Sequence, residues 1–142
     1  MAGFPGGSTV PRDDIIGFDC ELFIPAAQPD VVTADNAGKI SARVILEGAN
    51  IPITVQAEAQ LAERGVLCVP DVIANSGGVI CAAAEYRGAG HAEAFSEIKE
   101  KIGDTTAELL DRIRYGTLTP RAAADLMAQE RLRGALALRR KF

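Results

Sequence analysis

Three places in this 142-residue chain set carboxamide or very small side chains at the end of an apolar run: Pro25-Ala26-Ala27, Gly48-Ala49-Asn50 and Asn75-Ser76-Gly77-Gly78. A carboxamide carries both a donor and an acceptor, so Asn50 and Asn75 suit the mixed polar edge of a ligand. Alanine and glycine beside them let a flat ligand approach the backbone. The same residues also suit plainer work. Asn caps turns through nearby backbone, and Gly77-Gly78 would let a helix sit tightly on a sheet.

Bond-making chemistry has weaker candidates. Glu47 and Asp71 stand at the ends of apolar runs, as an acid/base pair would, but solvated or capping carboxylates are expected and no catalytic role is assigned. Cys81 lies in an Ala-rich stretch with no neighbouring base, which reads as a packed thiol. His91, the only histidine, follows Gly88-Ala89-Gly90 and is expected in an exposed loop. No metal-ligand spacing occurs. Arg131, Arg133, Arg139, Arg140 and Lys141 make the tail basic, diluted by Asp125 and Glu130. Because cations favour helix C-termini, a solvated helix end is expected there.

The elements that must position the three stretches alternate between strand and helix. Strands are expected at Cys20–Pro25, Arg43–Glu47 and Val66–Val69. Val31 to Gly38 reads as a turn or short helix. Thr54 caps a helix running to about Glu63, stopped by Arg64-Gly65. After a break at Pro70-Asp71, helical stretches follow over about Ser76–Tyr86 and Ala92–Tyr115. The second carries Ala94, Phe95, Ile98, Ile102, Leu109 and Ile113 at helical spacing. Gly116 stops it, and Thr119-Pro120 opens a last helix. Such alternation predicts a parallel sheet. Right-handed crossovers then bring all three strand ends to one edge, where open α/β sheets bind ligands. The predicted class is α/β, a three-layer half-domain with about three parallel strands followed by C-terminal helices. Residues 1–17 form an irregular lead-in, 18–88 the sheet unit and 89–142 a helical segment of the same domain.

Composition narrows the function classes. With 48% apolar and 24% charged residues, the chain can build one ordinary globular core. That core must be aliphatic, because Trp is absent and aromatics are few. A net charge of -4 gives no reason to expect nucleic acid or an anionic membrane as partner. No apolar run is long enough to span a bilayer, and the first residues do not read as a secretory signal. A cytoplasmic protein is expected. Cys20, Cys68 and Cys81 are odd in number and lie in apolar runs, which predicts reduced, buried thiols rather than a disulfide framework.

A dinucleotide site ordinarily shows G-x-G-x-x-G between a strand and a helix, to hold the pyrophosphate. None occurs here. Three other signatures do line up in order: DCELFIPAA at 19–27, ILEGANIPIT at 45–54 and VPDVIANSGGV at 69–79. Together they resemble the C-terminal half of the coenzyme-binding, Rossmann-like domain of the glutamate/leucine/phenylalanine/valine dehydrogenases. The resemblance is strong over residues 18–88 and looser in the later helices. It implies an NAD- or NADP-dependent oxidative deamination of an L-amino acid, such as glutamate or leucine, to a 2-oxo acid and ammonia.

By the same resemblance, Ala26 and Ala27 would lie against the cofactor, Asn50 would touch the nicotinamide ribose and Asn75 would bind the nicotinamide carboxamide. Gly77 and Gly78 would admit ring and substrate, and Val79 and Ala82 would line the substrate side-chain pocket. Ala82 stands where glutamate-specific members commonly have Ser, which favours an apolar substrate. Ser76 replaces a usual Ala. The family's catalytic Lys and Asp belong to a substrate domain that these signatures do not include, and Lys39, Lys99, Lys101 and Lys141 sit in no matching motif. The chain is therefore expected to be a fragment without turnover of its own. A homo-oligomer is implied, with no nucleic-acid or membrane partner. The alternative is a non-catalytic nucleotide-binding or self-associating module.

Overall fold

A computed structural model describes residues 5–116 and 118–138 of the chain. Its centre is a parallel sheet of β1 (Leu22–Phe23), β2 (Val44–Leu46) and β3 (Leu67–Val69), in that spatial order. Leu22 pairs with Val44, and Val44 with Leu67. The strands are shorter than expected, yet β1 keeps its ladder beyond its bounds. Glu21 C=O accepts from Val44 N–H at 3.2 Å, and Pro25 C=O accepts from Ala49 N–H at 2.8 Å.

Among the described residues five α-helices accompany the sheet, α1 (Val55–Glu63) between β2 and β3, and after β3 α2 (Asp71–Ala74), α3 (Gly77–Tyr86), α4 (His91–Ile113) and α5 (Pro120–Ala137). Local chemistry sets their ends. Thr54 and Thr119 accept through their hydroxyls from Ala57 N–H and Ala122 N–H, both at 3.3 Å, satisfying orphan donors at the starts of α1 and α5. Pro120 takes the first turn of α5, where its missing N–H costs nothing. Gly116, at φ +71°, takes the left-handed turn that ends the α4 segment.

Two details differ from the sequence reading. The passage after Pro70 is not irregular. Pro70 C=O accepts from Ile73 and Ala74 N–H at 3.0 and 2.9 Å, which winds 71–74 into a helical turn. Within the lead-in, Arg12–Gly17 forms a 3-10 helix.

The period-two alternation of the strands splits the core into two layers. Ile45 and Cys68 point to one face, where they join Val32, Ile40, Ala57 and Leu61. Val69 points to the other and meets Ile73, Leu109, Ala123, Ala124 and Met127. Helix α1 covers the first face, and α4 and α5 cover the second. This is the three-layer α/β arrangement expected.

Candidate functional site

The three strand ends meet through one residue, Ala49. Ala49 N–H donates to Pro25 C=O at 2.8 Å, and Ala49 C=O accepts from Asn75 Nδ2 at 3.2 Å. The loops after β1, β2 and β3 are thus linked in a row. Asn75 Nδ2 also donates to Asn50 Oδ1 at 2.9 Å, so the structure brings the two carboxamides together. This pairing uses up the Asn75 donor and the Asn50 acceptor. Among the described residues, Asn75 Oδ1 and Asn50 Nδ2 take no side-chain partner. An acceptor group on Asn75 and a donor group on Asn50 are thus left for other partners at this junction. Asn50 is exposed and Asn75 half-buried.

Small residues around the pair have different reasons. A Cβ on Gly48 would lie 3.0 Å from Ala26 Cβ and 3.3 Å from Ile24 Cγ2, so only glycine lets the loops after β1 and β2 approach this closely. Gly48→Ala should cost about 1–3 kcal/mol by overpacking, read as a lowered urea midpoint, with Ala26 shifted. A Cβ on Gly77 would sit 3.5 Å from Ile98, an ordinary contact facing α4, whereas one on Gly78 would meet nothing. Val79 and Ala82 lie three residues apart on α3, both exposed, and so share a helix face. Ala26 and Ala27 line a cleft of about 500 Å³ together with Phe23, Arg12, Asn36 and Lys39. The Asn pair lies outside that cleft.

Glu47 and Asp71 are buried rather than solvated, while the capping expectation holds for Glu47, whose Oε2 accepts from Asp71 N–H at 3.4 Å at the start of α2. Both are held by Arg121, on α5, which sequence reasoning passed over. Arg121 Nη2 donates to the Glu47 oxygens at 2.8 and 3.0 Å, Nη1 to Asp71 Oδ1 at 3.2 Å, and Nε to Glu58 Oε2 at 2.8 Å. The second Asp71 oxygen accepts from Ile51 N–H at 2.9 Å. Two signals hinted at this. Glu47 closes a strand buried on both faces, where a lone carboxylate needs a partner. Arg121 sits in the first turn of a helix, where the dipole disfavours a cation.

Three carboxylates on one guanidinium pull in opposite directions. Burial pushes the Glu47 carboxyl above its ordinary range, although Arg121 draws it back, while neighbouring Asp71 and Glu58 add to the rise. Burial also pushes Asp71 up, but the Ile51 N–H, Arg121 and Val72 N–H hydrogen bonds outweigh it and hold the carboxyl low. Stability from Asp71 is therefore present above its unfolded pKa and lost as pH falls through its depressed folded value. Glu47 has the opposite sign: its contribution is full below about pH 4.3, the unfolded value, and lost as pH rises through the raised folded value. Wild type should accordingly gain stability relative to Glu47→Gln as the pH is lowered from neutrality toward that range. Paired urea titrations check this, and a loss over the same interval would contradict the assignment.

The remaining candidates hold no place at the rim. His91 begins α4 rather than lying in a loop, exposed and stacked on Phe95 with ring centroids 4.6 Å apart. Cys68 is buried, with its thiol pushed up to about 12, chiefly by burial. Cys20 and Cys81 are only half-buried, a correction to the expectation of three buried thiols. Arg131 pairs with Glu108 at 2.8 Å and Arg133 donates to Gln129 at 3.2 Å. Arg139, Arg140 and Lys141 lie outside the described residues. Among the described residues there is no cluster of metal-ligating side chains, and no helix is long and apolar enough to cross a membrane.

Known proteins resemble this chain in sequence and in fold. The chain is 37% identical over 86 residues to an NADP-specific glutamate dehydrogenase of Saccharolobus shibatae, covering 61% of this chain and 20% of the relative. It is 36% identical over 107 residues to an NAD-specific glutamate dehydrogenase of Staphylococcus aureus, covering 74% and 26%. The crystal structure of L-tryptophan dehydrogenase from Nostoc punctiforme superposes with a TM-score of 0.82 at 25% identity, over 93% of this chain and 40% of that one. The chain thus spans about a fifth to a quarter of the length of these curated relatives. Residues 3–140 match the family described as Glutamate/Leucine/Phenylalanine/Valine dehydrogenase. With its parallel strand order and its three signatures at one sheet edge, the chain belongs to the glutamate/leucine/phenylalanine/valine dehydrogenase family.

Proposed function

We propose that this chain supplies the nicotinamide side of the cofactor site in an NAD- or NADP-dependent amino-acid dehydrogenase. The reaction would be the reversible oxidative deamination of an L-amino acid, such as glutamate or leucine, to a 2-oxo acid and ammonia. The observation that carries the reading is the Asn50–Asn75 pair, which leaves one donor and one acceptor unused at the junction of three strand ends. A bound nicotinamide would supply the hydride chemistry. The residues here bind and orient: Asn75 reads the carboxamide, Asn50 the nicotinamide ribose, and Ala26 and Ala27 lie against the cofactor. Gly78, beside which the space is open, would let ring and substrate approach the start of α3, and Gly77 would seat that start against α4. Val79 and Ala82 line the substrate side-chain pocket, where Ala82 offers no hydrogen bond to a distal carboxylate and so favours an apolar side chain. The acid/base groups and the rest of the cofactor site would come from sequence beyond these residues, in keeping with the fraction of the relatives that they span.

The test is a titration of the isotope-labelled chain with nicotinamide mononucleotide and, separately, with AMP. The mononucleotide should shift Ala27, Asn50, Asn75 and Gly78, and AMP should leave them in place. Shifts with AMP alone would reverse the assignment.

A second reading, a self-associating module, is favoured by one observation. β1 is one of the two edge strands of the sheet, and Leu22 on it and Ile24 just beyond it are 47% and 52% exposed. An open apolar edge invites strand pairing with another copy. Light scattering should then report a dimer mass that rises toward completion with concentration. A monomer mass at the highest attainable concentration would rule the reading out.

A further inference from the structure

Ile51 carries backbone strain at the rim. Its φ of +48° lies in the left-handed region, where a β-branched side chain is a steric outlier. It also precedes Pro52, a position biased toward extended backbone. Two hydrogen bonds pin it. Its N–H donates to Asp71 Oδ2 at 2.9 Å, and its C=O accepts from Asp30 N–H at 3.0 Å. Asp71 is itself fixed through its other oxygen by Arg121, whose guanidinium also grips Glu47.

The topology gives these contacts a purpose. Glu47 and Ile51 flank the Gly48-Ala49-Asn50 loop. Asp71 opens the turn that ends at Asn75, and Asn75 N–H donates to Asp71 C=O at 3.0 Å. One guanidinium therefore reaches both loops that carry the carboxamides, from a helix that contributes neither. Strain of this kind persists only where its surroundings over-determine it.

We propose that Arg121 and Asp71 are positioning residues, which hold Ile51 left-handed and thereby set Asn50 opposite Asn75. Their purpose rests on the nicotinamide reading above; their geometric effect does not. Hydrogen exchange of the Asn75 side-chain amide, followed by NMR, reports the pairing without any cofactor. In Asp71→Asn and in Arg121→Lys this exchange should accelerate about tenfold or more, as one charged hydrogen bond is lost. Glu58→Gln alters the third carboxylate on Arg121 but touches neither loop, so it should leave the exchange within about twofold, whatever it does to global stability.

Ile51→Gly in the Asp71→Asn background should recover most of the protection, because glycine adopts positive φ without strain. A purely structural role for Asp71 would not be rescued in this way. Unchanged exchange in Asp71→Asn, or equal acceleration in Glu58→Gln, would overturn the proposal. If the Asp71 variants do not fold, wild type still decides. The Ile51 backbone amide and the Asn75 side chain should open together under low urea, and separate openings would overturn the proposal. Intact coupling with no response to nicotinamide mononucleotide would instead count against the cofactor reading and leave the positioning role standing.

Discussion

Arg121→Met should destabilise the chain by about 3–5 kcal/mol, the usual effect of removing one partner from a buried ion pair. Glu47 is fully buried, and the Arg121 side chain is only 27% exposed. Methionine fills much of the same space but leaves Glu47, Asp71 and Glu58 facing one another without a cation. Since a domain is stable by only about 5–15 kcal/mol, this single change would consume about a fifth of the total or more. Adding Glu47→Gln should recover part of the loss, because the most buried of the three charges is then gone. Urea unfolding of the two variants beside wild type measures both effects. A loss below about 1 kcal/mol for Arg121→Met, the level of a surface pair, would mean that water reaches the cluster.

Asn75→Ala should weaken binding of nicotinamide mononucleotide by about five- to 150-fold, equivalent to one or two hydrogen bonds or about 1–3 kcal/mol. The side chain contributes twice. On the nicotinamide reading it would offer its own oxygen to the ligand, and its Nδ2 holds Asn50 and the Ala49 carbonyl in place. Asn75→Asp keeps the shape but cannot donate, and sets a carboxylate against two oxygens that Nδ2 now satisfies. The aspartate variant should therefore bind more weakly than the alanine variant. Calorimetric or NMR titrations give the order directly, and equal affinity in all three proteins would remove Asn75 from the site.

Much of this was legible in the sequence, for reasons that differ from element to element. The convergence of Asn50 and Asn75 followed from topology: short apolar strands alternating with helices must run parallel, and right-handed crossovers bring their ends to one edge. Both ends of α1 and the start of α5 followed from Thr54, Arg64-Gly65 and Thr119-Pro120, because caps are local chemistry. The Arg121 cluster was not legible in this way. Glu47 and Arg121 are 74 residues apart, and periodicity carries no information at that distance. Ile51 was hidden for the opposite reason: both its branched side chain and the following Pro52 argue for extended backbone, and tertiary hydrogen bonds override them. The helical turn at Asp71–Ala74 was obscured by Pro70, which reads as a breaker although a helical turn can begin directly after it.

The measurement that bears most directly on the nicotinamide assignment is the location of the ligand on this chain. Intermolecular NOEs from the carboxamide and ring protons of nicotinamide mononucleotide should reach the side-chain amides of Asn50 and Asn75. NOEs confined to the cleft beside Arg12 and Lys39, with none at the asparagine pair, would contradict it.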